Sequence, residues 1–191
     1  GCQDSTEDLD DDNDSLNDDL DDCSTGDLGW TSNNNTTDHD SDGCQDSTED
    51  LDDDNDSITD SEDYCSTGDL GWNSTSETDY DSDGCQDSGE DTDDDNDSII
   101  DAIDTCQNGD LGWISNNTTT DHDSDGCQDS GEDTDDDNDS LTDNLDDCTI
   151  GDLNWNSTNE TDYDSDGCQD SSEDTDDDND SVIDELDDCS T

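Results

Sequence analysis

The chain has 191 residues and a formal charge of −69, from 69 Asp plus Glu with no Lys or Arg; hydrophobic residues make up 19%, without Phe, Met or Pro. So little apolar surface cannot offset the conformational entropy of an ordered backbone, and the charge repels itself, so the bare polypeptide is expected to be disordered unless divalent cations neutralise it. Nucleic acid is disfavoured outright as a partner, because no basic side chain is present to meet a phosphate. No apolar run is long enough for a signal peptide or a membrane-spanning helix.

Internal repetition organises everything else. The string GCQDS recurs at Gly1, Gly43, Gly84, Gly126 and Gly167, in alternating steps of 42 and 41 residues. Copies preceded by His39 and His122 alternate with copies preceded by Tyr80 and Tyr163, so the true period is 83 residues. The spacing predicts a partial repeat over 1–37, complete repeats over 38–78, 79–120 and 121–161, and a partial repeat over 162–191. Gly1 falls inside a motif, which leads us to expect a window of a longer periodic chain.

Each repeat carries two twelve-residue frames with acidic residues at positions one, three, five, nine and twelve. Oxygen ligands at those positions, with the carbonyl of residue seven, are what a calcium loop of the EF-hand type requires. The A frames contain Asp38, Asp40, Asp42, Cys44, Asp46 and Glu49; Asp79, Asp81, Asp83, Cys85, Asp87 and Glu90; Asp121, Asp123, Asp125, Cys127, Asp129 and Glu132; and Asp162, Asp164, Asp166, Cys168, Asp170 and Glu173. A truncated copy contributes Asp4 and Glu7. The B frames contain Asp10, Asp12, Asp14, Leu16, Asp18 and Asp21; Asp52, Asp54, Asp56, Ile58, Asp60 and Asp63; Asp93, Asp95, Asp97, Ile99, Asp101 and Asp104; Asp135, Asp137, Asp139, Leu141, Asp143 and Asp146; and Asp176, Asp178, Asp180, Val182, Asp184 and Asp187. The cysteines and aliphatic residues enter these sets through their carbonyls. Of the 69 acidic groups, 47 fall on ligand positions, a register that a merely solvated acidic tail has no reason to keep.

Frames follow one another after two residues, which leaves no room for flanking helices. The expected fold is therefore irregular, with little regular secondary structure: an elongated tandem-repeat rod wrapped around calcium ions and stapled by disulfides, about two ions per repeat. At most one helical turn is expected after each B frame, where Leu141 and Leu145 could pack, with residue seven of the B frame facing a thin core. Gly43 and its equivalents at position six suit a sharp turn with positive φ, whereas Ser15, Ser57, Ser98, Ser140 and Ser181 there imply strain. Between repeats, the GDLGW-type linkers hold Leu28 and Trp30, Leu70 and Trp72, Leu111 and Trp113, and Leu153 and Trp155. Local packing over a disulfide is the expected role of these residues, with a sugar-stacking platform as the alternative.

Ten cysteines stand 20 or 21 residues apart with no CxxC pair, which argues against zinc and for an oxidised, extracellular or cell-surface setting. Two nearest-neighbour registers are open. One closes the linkers, starting Cys23–Cys44, and leaves Cys2 and Cys189 over; the other starts Cys2–Cys23. The first is preferred because a crosslink stabilises most where it closes flexible chain. Glycans are a further expected partner: Asn34, Asn35, Asn73, Asn116, Asn117, Asn156 and Asn159 are sequons in linkers, and Asn13, Asn55, Asn96, Asn138 and Asn179 are sequons in B frames. His39 and His122 sit at frame position two, which points away from the ion, and no catalytic constellation is present, so no enzymatic role is expected.

The strings DHDSDGCQDS and DDDNDSITDSEDYC together resemble the thrombospondin type 3 repeat. The resemblance covers essentially the whole chain and implies a calcium-wrapped, wire-like chain, with a disulfide running from the Cys that ends one motif to a Cys near the next, as in the register Cys23–Cys44. This chain departs from the family in three ways: Ser replaces Gly at position six of each B frame, Cys follows the A-frame Gly directly, and GDLGW replaces a Pro- and Asn-containing linker.

The expected function is a calcium-stabilised extracellular rod or filament, the 83-residue period favouring a filament that self-associates through polar, calcium- or glycan-mediated contacts. The alternatives are a disordered acidic calcium buffer or mineral-interacting protein, and an adhesin stalk or appendage of a larger secreted protein.

Overall fold

The computed structural model describes residues 8–188, and among them there is neither helix nor strand, only turns and bends. The truncated A frame with Asp4 and Glu7, and Cys2 and Cys189, lie outside the described residues. The chain divides into two compact units, Gly1–Asp94 and Asp95–Thr191. The first holds the disulfides Cys23–Cys44 and Cys65–Cys85, the second Cys106–Cys127 and Cys148–Cys168, each closing 20 or 21 residues. This is the linker-closing register. By chain entropy each crosslink of that length is worth about 3 kcal/mol.

The interior is inverted relative to an ordinary globular domain. Among the described residues the buried hydrophobic ones are four cysteines, Cys44, Cys85, Cys127 and Cys168, at 5–8% exposure, and the fully buried side chains are aspartates such as Asp38, Asp56, Asp121 and Asp139. The aliphatic residues largely face outward. Leu145 is 66% exposed, so the expected packing after the B frame is absent, and Leu28 is 75% exposed. Leu16, Ile58, Ile99 and Leu141 are half-buried at B-frame position seven, while Val182 is exposed. An exposed Leu costs little beside an unsatisfied carboxylate, so the polar groups take the interior.

Eight of the frames close on themselves through the same backbone bond. The amide of residue nine donates to the carbonyl just before the frame, as from Asp46 to Thr37 at 3.1 Å and from Asp143 to Thr134 at 3.0 Å. In return Oδ1 of residue nine accepts the amide of residue two: Asp46 from His39 at 3.0 Å, Asp143 from Asp136 at 3.0 Å. Between these ends, the side chains of residues three and five cap the amides two residues further on, as Asp54 does for Asp56 at 3.2 Å and Asp56 for Ile58 at 2.6 Å. Such Asx turns bend the backbone around the intervening residue.

That residue is left-handed every time. Asn55 and Ser57 in frame 52–63 have φ of 57° and 85°, and Ser41 and Gly43 in frame 38–49 have 66° and 91°. The strain expected for Ser at position six is therefore present, of order 1–3 kcal/mol for each residue. Asn tolerates this region better than most residues. Glycine at position six of the A frames has a second cause. A Cβ on Gly43 or Gly84 would run into the carboxylate of Asp21 or Asp63, the last residue of the preceding B frame.

Candidate metal centres

Carboxylate oxygens of Asp10, Asp12 and Asp14 lie within 4.8 Å of one another, as do those of Asp38, Asp40 and Asp42, of Asp52, Asp54 and Asp56, and of Asp79, Asp81 and Asp83. Positions one, three and five thus converge in both frame types because two Asx turns in sequence fold them onto one side. Position twelve of the B frame is near enough to feel their charge. The charges of Asp54, Asp56 and Asp52 act on Asp63, and those of Asp137, Asp139 and Asp135 on Asp146.

Three B frames, 10–21, 52–63 and 135–146, leave the same oxygens over. In frame 52–63, Asp52 Oδ2 accepts from Ser57 at 3.2 Å, Asp56 Oδ1 from Ile58 at 2.6 Å and Asp63 Oδ1 from Cys65 at 2.6 Å. The remaining oxygens, Asp52 Oδ1, Asp56 Oδ2 and Asp63 Oδ2, are buried without a hydrogen bond. Frame 135–146 repeats this, with Asp135 Oδ1, Asp139 Oδ2 and Asp146 Oδ2 left over. Frame 10–21 leaves the equivalent oxygens, Asp10 Oδ1, Asp14 Oδ2 and Asp21 Oδ2. One oxygen of each carboxylate orients the side chain and the other is free to ligate. Unpaired buried anionic oxygens at three points of one small cage fit a hard, oxygen-seeking cation, and the chain has no Lys or Arg to replace it.

The electrostatics agree. Burial, reinforced by neighbouring carboxylates and opposed by backbone amides, pushes Asp63 and Asp146 up to about 7 and Asp21 up to about 6. Burial likewise raises Asp14, Asp56 and Asp139. Such groups bind either a proton or a cation, and a divalent ion resolves several at once.

The A frames are held differently. Asp38 is fully buried; its Oδ1 accepts from Asp42 at 3.1 Å and its Oδ2 from Gly43 at 3.3 Å and from the Ser32 hydroxyl. Asp40 accepts the Nδ2 of Asn55 from the following B frame, as Asp123 does from Asn138. Burial first, then the charge of Asp42, pushes Asp40 up to about 6. Glu49 at position twelve reaches back to the linker, where Oε2 accepts the amide of Asp27 at 2.7 Å; Glu173 does the same with Asp152 at 2.7 Å. Gly26 must be glycine for this approach, because a Cβ there would collide with the Glu49 carboxylate. Its amide donates in turn to Asp12 Oδ2 at 3.0 Å. His39 donates from Nε2 to the carbonyl of Gly68 at 2.9 Å, as His122 does to Gly151 at 2.9 Å.

One group of site residues escaped sequence reasoning. Ser32, Ser74, Ser115 and Ser157 join each B frame to the next A frame. The Ser74 amide donates to the Asp56 carbonyl at 2.8 Å, and its hydroxyl to the buried Asp79 carboxylate. The signal was a Ser two residues after every linker Trp.

Among the described residues no helix is long and apolar enough to cross a membrane. Acidic clusters placed to hold metal ions and periodic disulfides are the features of a calcium-binding type of repeat. In comparison with known proteins, no family model and no curated sequence matches the chain.

Proposed function

We propose that this chain is a calcium-binding structural repeat protein of the thrombospondin type 3 kind, outside the cell or at its surface, in which bound ions hold consecutive frames in a stiff rod or filament. The observation that carries this reading is the set of buried oxygens without a hydrogen bond at positions one, five and twelve, which recurs in frames 10–21, 52–63 and 135–146. In a chain without basic residues, an external cation is what they lack. Calcium suits the all-oxygen, multi-carboxylate donor sets better than magnesium, which demands tighter octahedral geometry and keeps its water. Each ion offsets two charges, so ten ions would bring −69 to −49. Extracellular calcium modules bind at about 10⁻⁴ to 10⁻³ M, which suits a permanent structural role there. No catalytic step is assigned.

The test is calcium titration of the EDTA-stripped, disulfide-intact protein, followed by near- and far-UV circular dichroism and Trp fluorescence. The reading expects a saturable, cooperative transition at two or more ions per repeat, with magnesium a poor substitute. A featureless, salt-like response shared by magnesium would instead establish the disordered polyanion.

A further inference from the structure

The twelve-residue frames leave one set of carboxylates without a role. Asp50 follows the last residue of frame 38–49, and Asp53 is the second residue of frame 52–63, a position that ordinarily points away from the frame's own ion. In the structure both meet Asp46, the ninth residue of the A frame: oxygens of Asp46, Asp50 and Asp53 lie within 4.8 Å of one another. Asp53 is only 8% exposed.

Backbone amides orient the carboxylates of Asp46, Asp50 and Asp60. Asp46 Oδ1 accepts from His39 at 3.0 Å, and Asp50 Oδ1 accepts from Leu51 at 2.7 Å and Asp52 at 3.1 Å. The Asp53 amide donates to Asp60 Oδ1 at 2.9 Å, which brings the ninth residue of the B frame alongside. Asp50 Oδ2 and Asp53 Oδ1 remain, both buried and both without a hydrogen bond. The second unit repeats the hydrogen bonds and the leftover oxygens, and there the charges of Asp129 and Asp133 act on Asp136. Asp133 Oδ2 and Asp136 Oδ1 are buried and unpartnered, and Asp136 is 8% exposed. Asp129 Oδ1 accepts from His122 at 2.9 Å, Asp133 Oδ1 from Thr134 at 2.7 Å, and Asp143 Oδ1 from Asp136 at 3.0 Å. Asp174 Oδ2 and Asp177 Oδ1 are left over at the next junction.

We propose that each A–B junction is a third calcium site of the repeat, with Asp46, Asp50 and Asp53 as its ligands in one unit and Asp129, Asp133 and Asp136 in the other, and with Asp60 and Asp143 at its edge. Unpaired anionic oxygens buried together are costly unless a cation meets them. The donor set is all oxygen and multiply anionic, which selects calcium among the common divalent ions. Such an ion would tie frame A to frame B through Asp46 or Asp129 of the A frame and Asp53 or Asp136 of the B frame. The two-residue joint between frames would then be a bridged, stiff element.

This inference rests on the calcium reading of the frames, and one experiment separates the two. Calcium bound to the full oxidised chain is measured by equilibrium dialysis with elemental analysis in about 0.15 M salt, where loose surface ions are screened. The same isotherm is measured for the double variant Asp53→Asn/Asp136→Asn, which preserves shape and removes charge. The expected results are three ions per repeat in the wild type and, in the variant, two ions per chain weakened at least tenfold with the rest unchanged. Wild-type saturation at two ions per repeat, or an unchanged variant isotherm, overturns the third site and leaves the frame sites standing, the junction then being neutralised by protons. Saturation below two ions per repeat overturns the calcium reading itself and the third site with it.

Discussion

The hydroxyl of Ser74 donates to the Asp79 carboxylate at 2.5 Å, and Asp79 is fully buried. Because the Ser74 amide is anchored on the Asp56 carbonyl, one residue fixes the first ligand of an A frame against the fifth residue of the preceding B frame. Loss of a hydrogen bond to a buried charged group costs about 1–3 kcal/mol. Ser74→Ala is therefore expected to weaken one calcium step roughly tenfold while the remaining steps keep their affinity, as read from the stepwise titration.

Gly84 and Gly71 both have positive φ, 89° and 86°, but only Gly84 faces a carboxylate, that of Asp63. Gly71→Ala is expected to cost only the left-handed strain, about 1–2 kcal/mol. Gly84→Ala should cost more, and its damage should fall on the preceding B frame, because Asp63 must move. Thermal unfolding in saturating calcium gives the ranking, and bound calcium tells which frame is lost. Equal effects of the two variants would contradict the close approach.

The raised carboxyls make the pH dependence opposite in the metal-free and calcium-bound proteins. An unfolded Asp titrates near 3.9, whereas Asp63 and Asp146 are pushed up to about 7 by burial and their neighbours. Between those values the folded metal-free chain holds protons that the unfolded chain has released. Their stabilising contribution is full below about pH 4 and disappears as pH rises through about 7. Calcium must displace the same protons, so its affinity should climb from pH 5 to 8, with proton release at pH 6 that fades by pH 8. Calorimetry in buffers of different ionisation enthalpy measures that release, and its absence at pH 6 would remove position twelve from the ligand set.

Cys44, Cys85, Cys127 and Cys168 are buried at 5–8% exposure and sit at position seven of the A frames. Thiol–disulfide exchange needs access to sulfur. The bridges should therefore resist dithiothreitol in calcium and be reduced quickly in EDTA, with four bridges following calcium removal when released thiols are counted. Rates independent of calcium would mean that the frames open without releasing ions.

The sequence by itself determined the frames, their period and the absence of regular secondary structure. Convergence of positions one, three and five is a local event: Asx turns over a few residues bring Asp52, Asp54 and Asp56 together, and their spacing announces it. The need for positive φ at position six was legible for the same reason. Which way the other groups turn was decided by packing between frames. Cysteine spacing admitted two registers, and only tertiary structure chose Cys23–Cys44. The links from Asp27 to Glu49 and from His39 to Gly68 span 22 and 29 residues, beyond any local periodicity. Asp53, at an outward position of its own frame, is buried because the preceding A frame covers it. Leu28 and Leu145 point to solvent because the small interior is filled by carboxylates, which cannot be buried without partners and therefore take the places where partners converge.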